Sequence, residues 1–188
     1  MLAVPQPPGT NDFLVDRAIW HFCRGLALLG RGDTASAERE QVALATLAGS
    51  GAAKELSGPM FPVSDILQIP TLWLAGRVAG AKGDTTHLFA QLQKAIAAED
   101  AMPYMEPTYW PVPVRPALGA ALLRAGDAVQ AERIFREDIQ RWPRNGWGLY
   151  GLEQALQAQA KKSQAADVHR QFEEAWRRAD VKPNLNWY

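Results

Sequence analysis

The sequence contains one cysteine, Cys23, among its 188 residues. A single thiol excludes an intramolecular disulfide and any site built from several cysteines, and it fits a reducing compartment. The sequence also lacks an apolar run of about 18 residues, the minimum for a membrane-spanning helix. Its first nine residues lack the basic start and long apolar run of a secretory signal. We therefore expect a cytoplasmic protein without a membrane partner.

The chain also carries no formal net charge. Lys and Arg together number 20, and so do Asp and Glu, which gives a formal net charge of zero. Nucleic acids and anionic membranes recruit proteins through basic surfaces, and a balanced composition offers no sign of one. We predict no nucleic-acid partner. With 47% hydrophobic residues, the chain can bury a substantial core.

Signals for catalysis and for metal binding are weak. The three histidines, His21, His87 and His169, lie far apart in the sequence, and only His169 with Glu173 has the i,i+4 spacing of a ligand pair. That pair is more typical of the solvent-exposed side of a helix. The segment 49–54 lacks the spacing of a phosphate-binding loop, and no nucleophile motif such as Gly-x-Ser-x-Gly occurs. We predict no catalytic residue, no metal site and no cofactor.

What the sequence does contain is a recurring glycine pattern, in which one glycine is followed seven residues later by Gly-Asp. The instances are Gly25 with Gly32-Asp33, Gly76 with Gly83-Asp84, and Gly119 with Gly126-Asp127. The pattern predicts a helix that packs closely at its first glycine and ends at the second, followed by a helix capped by the aspartate. A fourth pair begins at Trp147, with Ala160-Lys161 at the turn. We predict an all-α fold of about four stacked helix pairs.

Proline and glycine mark the boundaries of this array. We predict an irregular lead-in over 1–11, a helical repeat domain over 12–181 and a tail over 182–188. A long connection is expected over 48–62, and the five prolines of 102–116, the proline-rich loop, cannot continue a helix. Pro70 lies inside an apolar run, which predicts that its helix either starts or kinks there.

The spacing of small residues gives the array a family resemblance. Ala37, Ala131 and Ala165 each lie five places after a turn position, the period is 34 residues, and Pro143 ends a second helix. This pattern resembles the tetratricopeptide repeat. Four segments look like the carboxy-terminal part of bacterial proteins of that family: 20–27, 104–115, 145–152 and 175–180. The resemblance implies a right-handed solenoid and further repeats upstream in many relatives, and it brings no catalytic residue.

In tetratricopeptide repeats the first helices line a concave groove, and the residues three before each first glycine point into it. Counting by period, these are Phe22, Trp73, Pro116 and Tyr150. Together with Trp147, the three aromatic residues predict an apolar groove that binds a peptide or a partner protein without catalysis. Another part of the same molecule, such as the proline-rich loop or missing repeats, could instead cover these rings. A homo-oligomer that hides the groove is a further alternative.

Two polar residues occupy equivalent seam positions, His21 and Arg115, each four before a first glycine. Burial there requires a partner, and Glu106 and Asp138 are the candidates for Arg115. One interpretation is an internal polar link that holds the loop on the hairpin. The alternative function is a small-molecule or metal-binding site, enzymatic or not, in which His21, Glu106, Trp110 and Arg115 converge.

Overall fold

The structure is a computed structural model that describes residues 1–185, and within this range it is all-helical. The helices are α1 (Leu14–Leu29), α2 (Thr34–Ala48), α3 (Gly51–Leu56), α4 (Val63–Ala81), α5 (Thr85–Asp100), α6 (Arg115–Arg124), α7 (Ala128–Arg141), α8 (Gly146–Ala158) and α9 (Lys162–Trp176). A single turn of 3-10 helix, Asn11–Phe13, precedes α1. The all-α prediction is confirmed for the described residues, which contain no β-strand beyond one isolated bridge.

The chain divides into two compact units, Met1–Val112 and Pro113–Tyr188. In the first unit, α1 packs on α2 and α4 on α5, while α4 also contacts α1, α2 and the short α3. In the second unit, α6 packs on α7 and α8 on α9, and α8 contacts both α6 and α7. Each unit therefore consists of two helix pairs joined through the first helix of its second pair.

The glycine pattern forms the predicted turns. Gly32, Gly83 and Gly126 have φ values of +78°, +85° and +86°. This left-handed conformation suits glycine because it has no Cβ atom. The following aspartates, Asp33, Asp84 and Asp127, accept hydrogen bonds from the backbone N–H of Ser36, His87 and Gln130. At the fourth turn Ala160 adopts a φ of +56°, but the next residue, Lys161, makes no side-chain cap.

The structure refines three local expectations. The helix around Pro70 begins at Val63, which excludes the alternative that it starts at the proline, and Pro70 lies inside α4. The predicted connection over 48–62 contains α3, because the hydroxyl of Ser50 accepts from the N–H of Ala53 and caps a helical turn. The proline-rich loop over 102–116 overlaps the start of α6, which begins at Arg115 and accommodates Pro116 in its first turn without the loss of a helical hydrogen bond.

The lead-in and the segment that follows α9 contact the helices beside them. In the lead-in, the carbonyl oxygens of Leu2 and Val4 accept hydrogen bonds from Arg24 and Trp20 of α1. After α9, the Trp176 Nε1–H donates to the carbonyl of Val181, at 2.7 Å. Residues 186–188 of the predicted tail lie outside the described residues.

Candidate functional site

Two of the predicted groove residues, Phe22 and Trp73, are buried in the first unit. Phe22 is 5% exposed and Trp73 is 3% exposed. Trp110 of the proline-rich loop lies against both, with ring centroids 5.5 Å from Phe22 and 6.3 Å from Trp73. These tilted, edge-on contacts are the arrangement that aromatic quadrupoles favour. Among the alternatives considered for Phe22 and Trp73, the structure therefore shows coverage by the proline-rich loop of the same molecule.

The proline-rich loop is held by contacts of Tyr109 as well as by those of Trp110. Ahead of it, the Tyr109 hydroxyl donates to the carbonyl of Met60, and the Tyr109 ring packs edge-on against Phe61 at 5.8 Å. The loop contains a cis peptide bond between Glu106 and Pro107. These contacts fasten the loop to the connection between α3 and α4, and Trp110 forms the buried end of that attachment.

His21 pairs with a carboxylate that the sequence analysis did not name. Its Nδ1 atom lies 2.6 Å from Oε2 of Glu40, and the Arg24 Nε–H donates to the other oxygen of the same carboxylate at 2.9 Å. Glu40 is on α2, so the contact spans the seam of the first helix pair. The prediction that a carboxylate faces His21 is confirmed. A systematic search of the facing helix for acids could have found it.

Arg115 lies in the second unit, at the first residue of α6. Its Nε atom is 4.0 Å from Oε2 of Glu137, which was not among the predicted partners. The candidate Asp138 is fully buried and accepts a hydrogen bond from the side-chain amide of Asn145 at 2.8 Å. The other candidate, Glu106, accepts from the Tyr104 hydroxyl.

The contacts of the predicted polar cluster include those of His21 with Glu40, Glu106 with Tyr104, Trp110 with Phe22 and Trp73, and Arg115 with Glu137. Within residues 1–185, no group of three or more His, Cys, Asp or Glu side chains could hold a metal ion. None of these contacts favours the hypothesis of a small-molecule or metal-binding site.

The other two groove residues, Trp147 and Tyr150, belong to a set of linked rings on α8 and α9. Trp147 lies 4.8 Å from Trp176, Trp176 lies 5.7 Å from Phe172, and Phe172 lies 5.7 Å from Tyr150. All four rings are half-buried. We call this set the aromatic face. Phe172 and Trp176 were not among the predicted groove residues, and the sequence did not show that they would join them.

A glycine and a buried carboxylate fix the geometry of the aromatic face. A Cβ atom added to Gly146 would lie 2.4 Å from Cε3 of Trp176, so only glycine lets that indole lie over the start of α8. Beside the aromatic face, Nδ1 of His169 lies 3.1 Å from Oε2 of Glu153, which is 7% exposed. The hydrogen bond and charge of Glu153 raise the pKa of His169.

The predicted solvent-side pair of His169 and Glu173 is present, with Nε2 of the histidine 3.3 Å from Oε1 of the glutamate. The same imidazole also contacts Glu153 through Nδ1, so it joins a buried acid to an exposed one. The His169 ring lies 6.4 Å from that of Phe172. A polar edge therefore borders the aromatic face.

Comparison with known proteins identifies no relative: no family model matches the chain, and neither a curated protein nor a solved structure matches it. Among residues 1–185, none of the helices combines the length and the apolar character that crossing a bilayer requires.

Proposed function

We propose that this chain is a non-enzymatic, tetratricopeptide-like scaffold that binds a segment of a partner protein through the aromatic face of its second unit. The observation that carries the proposal is the chain of ring contacts from Trp147 through Trp176 and Phe172 to Tyr150, partly exposed on two neighbouring helices. Linked rings of this kind offer a large contact area and lose little side-chain entropy on binding.

The polar atoms of the aromatic face support binding of a protein segment. Within the described residues, the Tyr150 hydroxyl makes no hydrogen bond, so it is available to a backbone amide or carbonyl of the partner. The indole of Trp176 already donates to Val181. We infer a partner segment that places apolar side chains over the rings and a backbone group against the Tyr150 hydroxyl.

The first unit has a structural role in this proposal. Phe22 and Trp73 lie under Trp110, and exposing them would sacrifice buried apolar area worth several kcal/mol, on the order of 1.5–3 kcal/mol per large side chain. Binding is therefore assigned to Trp147 and Tyr150 of the predicted groove, joined by Phe172 and Trp176.

The helix-pair architecture supports the tetratricopeptide-like part of the proposal. Three turns combine a left-handed glycine with an aspartate cap, and a fourth turn uses Ala160. Small residues follow at equivalent places in the second helices, where Ala37 and Ala131 are fully buried and Ala165 is 5% exposed. Close packing at these positions is what such repeats require.

A photo-crosslinking experiment tests the proposal. A photoreactive phenylalanine analogue replaces Tyr150 in the chain expressed in its native cells, and the same analogue replaces Val129 as a control, since Val129 is 67% exposed on α7 of the same unit. We expect one protein to be cross-linked at position 150 and not at 129. Its purified form should bind the Tyr150→Ala variant about 10-fold more weakly than wild type, a typical loss for an aromatic hot spot.

Two outcomes would contradict the proposal. One is equal cross-linking at positions 150 and 129, which would show contact without a specific surface. The other is a product that contains only a second copy of this chain, which would make the aromatic face a self-association surface.

A further inference from the structure

The second unit has a second concave surface, which runs along α9 and is separate from the aromatic face. It consists of two cavities of about 420 and 570 Å³, which share Pro143, Leu149 and Gln171 and so form one continuous groove. Residues of α7 and α9 form its walls, and residues of α8 together with Val168 of α9 form its floor. We call it the α7–α9 groove. None of the four aromatic-face residues lines it.

One end of the α7–α9 groove is basic. Arg144, Arg177 and Arg178 line the smaller cavity together with a single acid, Glu174. Among residues 1–185, no carboxylate lies within ion-pair distance of any of these three arginines. A basic end of this kind holds two more positive than negative charges, although the whole chain is neutral. Planar guanidinium groups are suited to bidentate binding of carboxylates.

The floor of the α7–α9 groove is apolar. Leu149 lies beneath both cavities, and Leu152 and Val168 lie beneath the larger one, with exposed fractions of 2%, 3% and 8%. Their small exposed areas lie at the bottom of the groove and not on a ridge. Apolar side chains of a bound segment would therefore contact an already packed surface, which reduces the ordering cost of binding.

The chain itself leaves this groove open over the residues that the structure describes. After α9 the chain turns back, since the carbonyl of Val181 accepts from Trp176. Further on, the carbonyl of Leu185 accepts from Arg124 at the end of α6, at 2.7 Å. None of the residues 179–185 lines either cavity.

We propose that the α7–α9 groove binds an acidic segment of a protein in which carboxylates alternate with aliphatic side chains. The carboxylates pair with Arg144, Arg177 and Arg178, and the aliphatic side chains lie on Leu149, Leu152 and Val168. Charge complementarity selects the acidic partner and speeds its association, while the apolar floor contacts the aliphatic side chains of the bound segment. This site is separate from the aromatic face and does not depend on the function proposed for it.

Fluorescence anisotropy with two labelled peptides tests this site. The probes are a peptide of alternating glutamate and leucine and its charge-inverted counterpart of alternating lysine and leucine. We expect the full chain to bind the acidic peptide at least about 10-fold more tightly, and binding to weaken as salt is added. Inorganic phosphate, added in excess, should compete only weakly because it makes no contact with the apolar floor.

Matched charge reversals then locate the binding site. Arg144→Glu and Arg178→Glu should each weaken binding of the acidic peptide by about 5-fold to 20-fold, since each removes one attraction and adds one repulsion. Lys162→Glu is the control, because Lys162 is an exposed cation on α9 that does not line the groove. Circular dichroism verifies that all variants remain folded.

The inference is overturned if the two peptides bind equally, if phosphate abolishes binding, or if Lys162→Glu weakens it as much as the arginine variants do. The variant Tyr150→Ala separates this site from the function proposed above. It should leave binding of the acidic peptide unchanged, and a loss there would also overturn the separate site.

Discussion

A Cβ atom added to Gly151 of α8 would lie 2.1 Å from Cε1 of Phe135 on α7. The Phe135 ring is fully buried, and a Cβ atom at Gly119 would also lie only 2.7 Å from its Cζ atom. The ring thus lies between two glycine backbones, one on α6 and one on α8. This contact sets how closely the helices of the second unit approach each other.

Gly151→Ala should therefore destabilise the chain. The new methyl group has no room, and the ring has no exposed side toward which it can move, so we expect a loss of roughly 2–4 kcal/mol in the free energy of unfolding. Urea denaturation measures it. Gly51→Ala is the control, because no atom lies within 4 Å of a Cβ atom at Gly51. Equal stability of the two variants would show that the helices are not packed through Phe135.

Trp110→Ala should destabilise the first unit by uncovering Phe22 and Trp73. Removing a buried indole typically costs about 3–5 kcal/mol, and the exposed rings should increase binding of a hydrophobic dye. Tyr104→Ala, in the same loop, is the control, since Tyr104 is 85% exposed and its loss should change stability by less than about 0.5 kcal/mol. A stable Trp110→Ala variant without dye binding would contradict the finding that Trp110 covers Phe22 and Trp73.

Glu132 should contribute stability that depends on pH. Burial acts to raise the pKa of its carboxyl, but hydrogen bonds from Lys161, Arg136 and Gln159 outweigh that effect and hold the pKa at about 2, below its ordinary 4.5. A lowered folded-state pKa gives stability that is complete above pH 4.5 and disappears as the pH falls toward 2.

We therefore expect Glu132→Gln to cost roughly 1–3 kcal/mol at pH 7 and progressively less in acid. Urea denaturation of both proteins at pH 7 and near pH 3 measures the change. Glu174→Gln serves as the control, because Glu174 is exposed and forms no ion pair among the described residues. A cost that stays constant with pH would mean that the carboxylate charge contributes nothing.

His169 should show the opposite dependence on pH. The hydrogen bond and charge of Glu153, with a smaller contribution from Glu173, raise its pKa above the ordinary 6.5. A raised folded-state pKa gives stability that is fully present below pH 6.5 and is lost as the pH rises through the folded-state pKa.

A double-mutant cycle of His169→Gln and Glu153→Gln isolates this interaction. Because the imidazole is half-exposed, we expect a coupling energy below about 1 kcal/mol at pH 5.5 and near zero at pH 9. A coupling that is equal at both pH values would indicate a neutral hydrogen bond and no effect of charge.

The sequence was sufficient to predict those features of the fold that depend on neighbouring residues alone. A left-handed glycine followed by a capping aspartate depends on neighbouring residues alone, so the three turns and the helices on either side follow from the pattern. The short helix α3 was not predicted because flexible residues surround its Ser50 cap. That local signal was present and could have been recognised.

The candidate site depended on contacts between distant residues, and these were harder to predict. The spacing of Phe22 and Trp73 predicted a shared surface, and the two rings do meet, 5.5 Å apart. Whether that surface was open depended on where one proline-rich loop placed Trp110, which helical periodicity does not specify. Likewise the seam position of His21 required a partner without identifying Glu40, because the facing helix carries two acids, Glu38 and Glu40.

Hydroxyl-radical footprinting, with and without the partner protein identified by cross-linking at position 150, tests whether the aromatic face is the binding surface. We expect the partner to reduce oxidation of Tyr150, Phe172 and Trp176, and to leave Tyr104, the most exposed aromatic side chain of the first unit, unchanged. Protection of Tyr104 without protection of Tyr150 would contradict the claim that the aromatic face of the second unit is the binding surface.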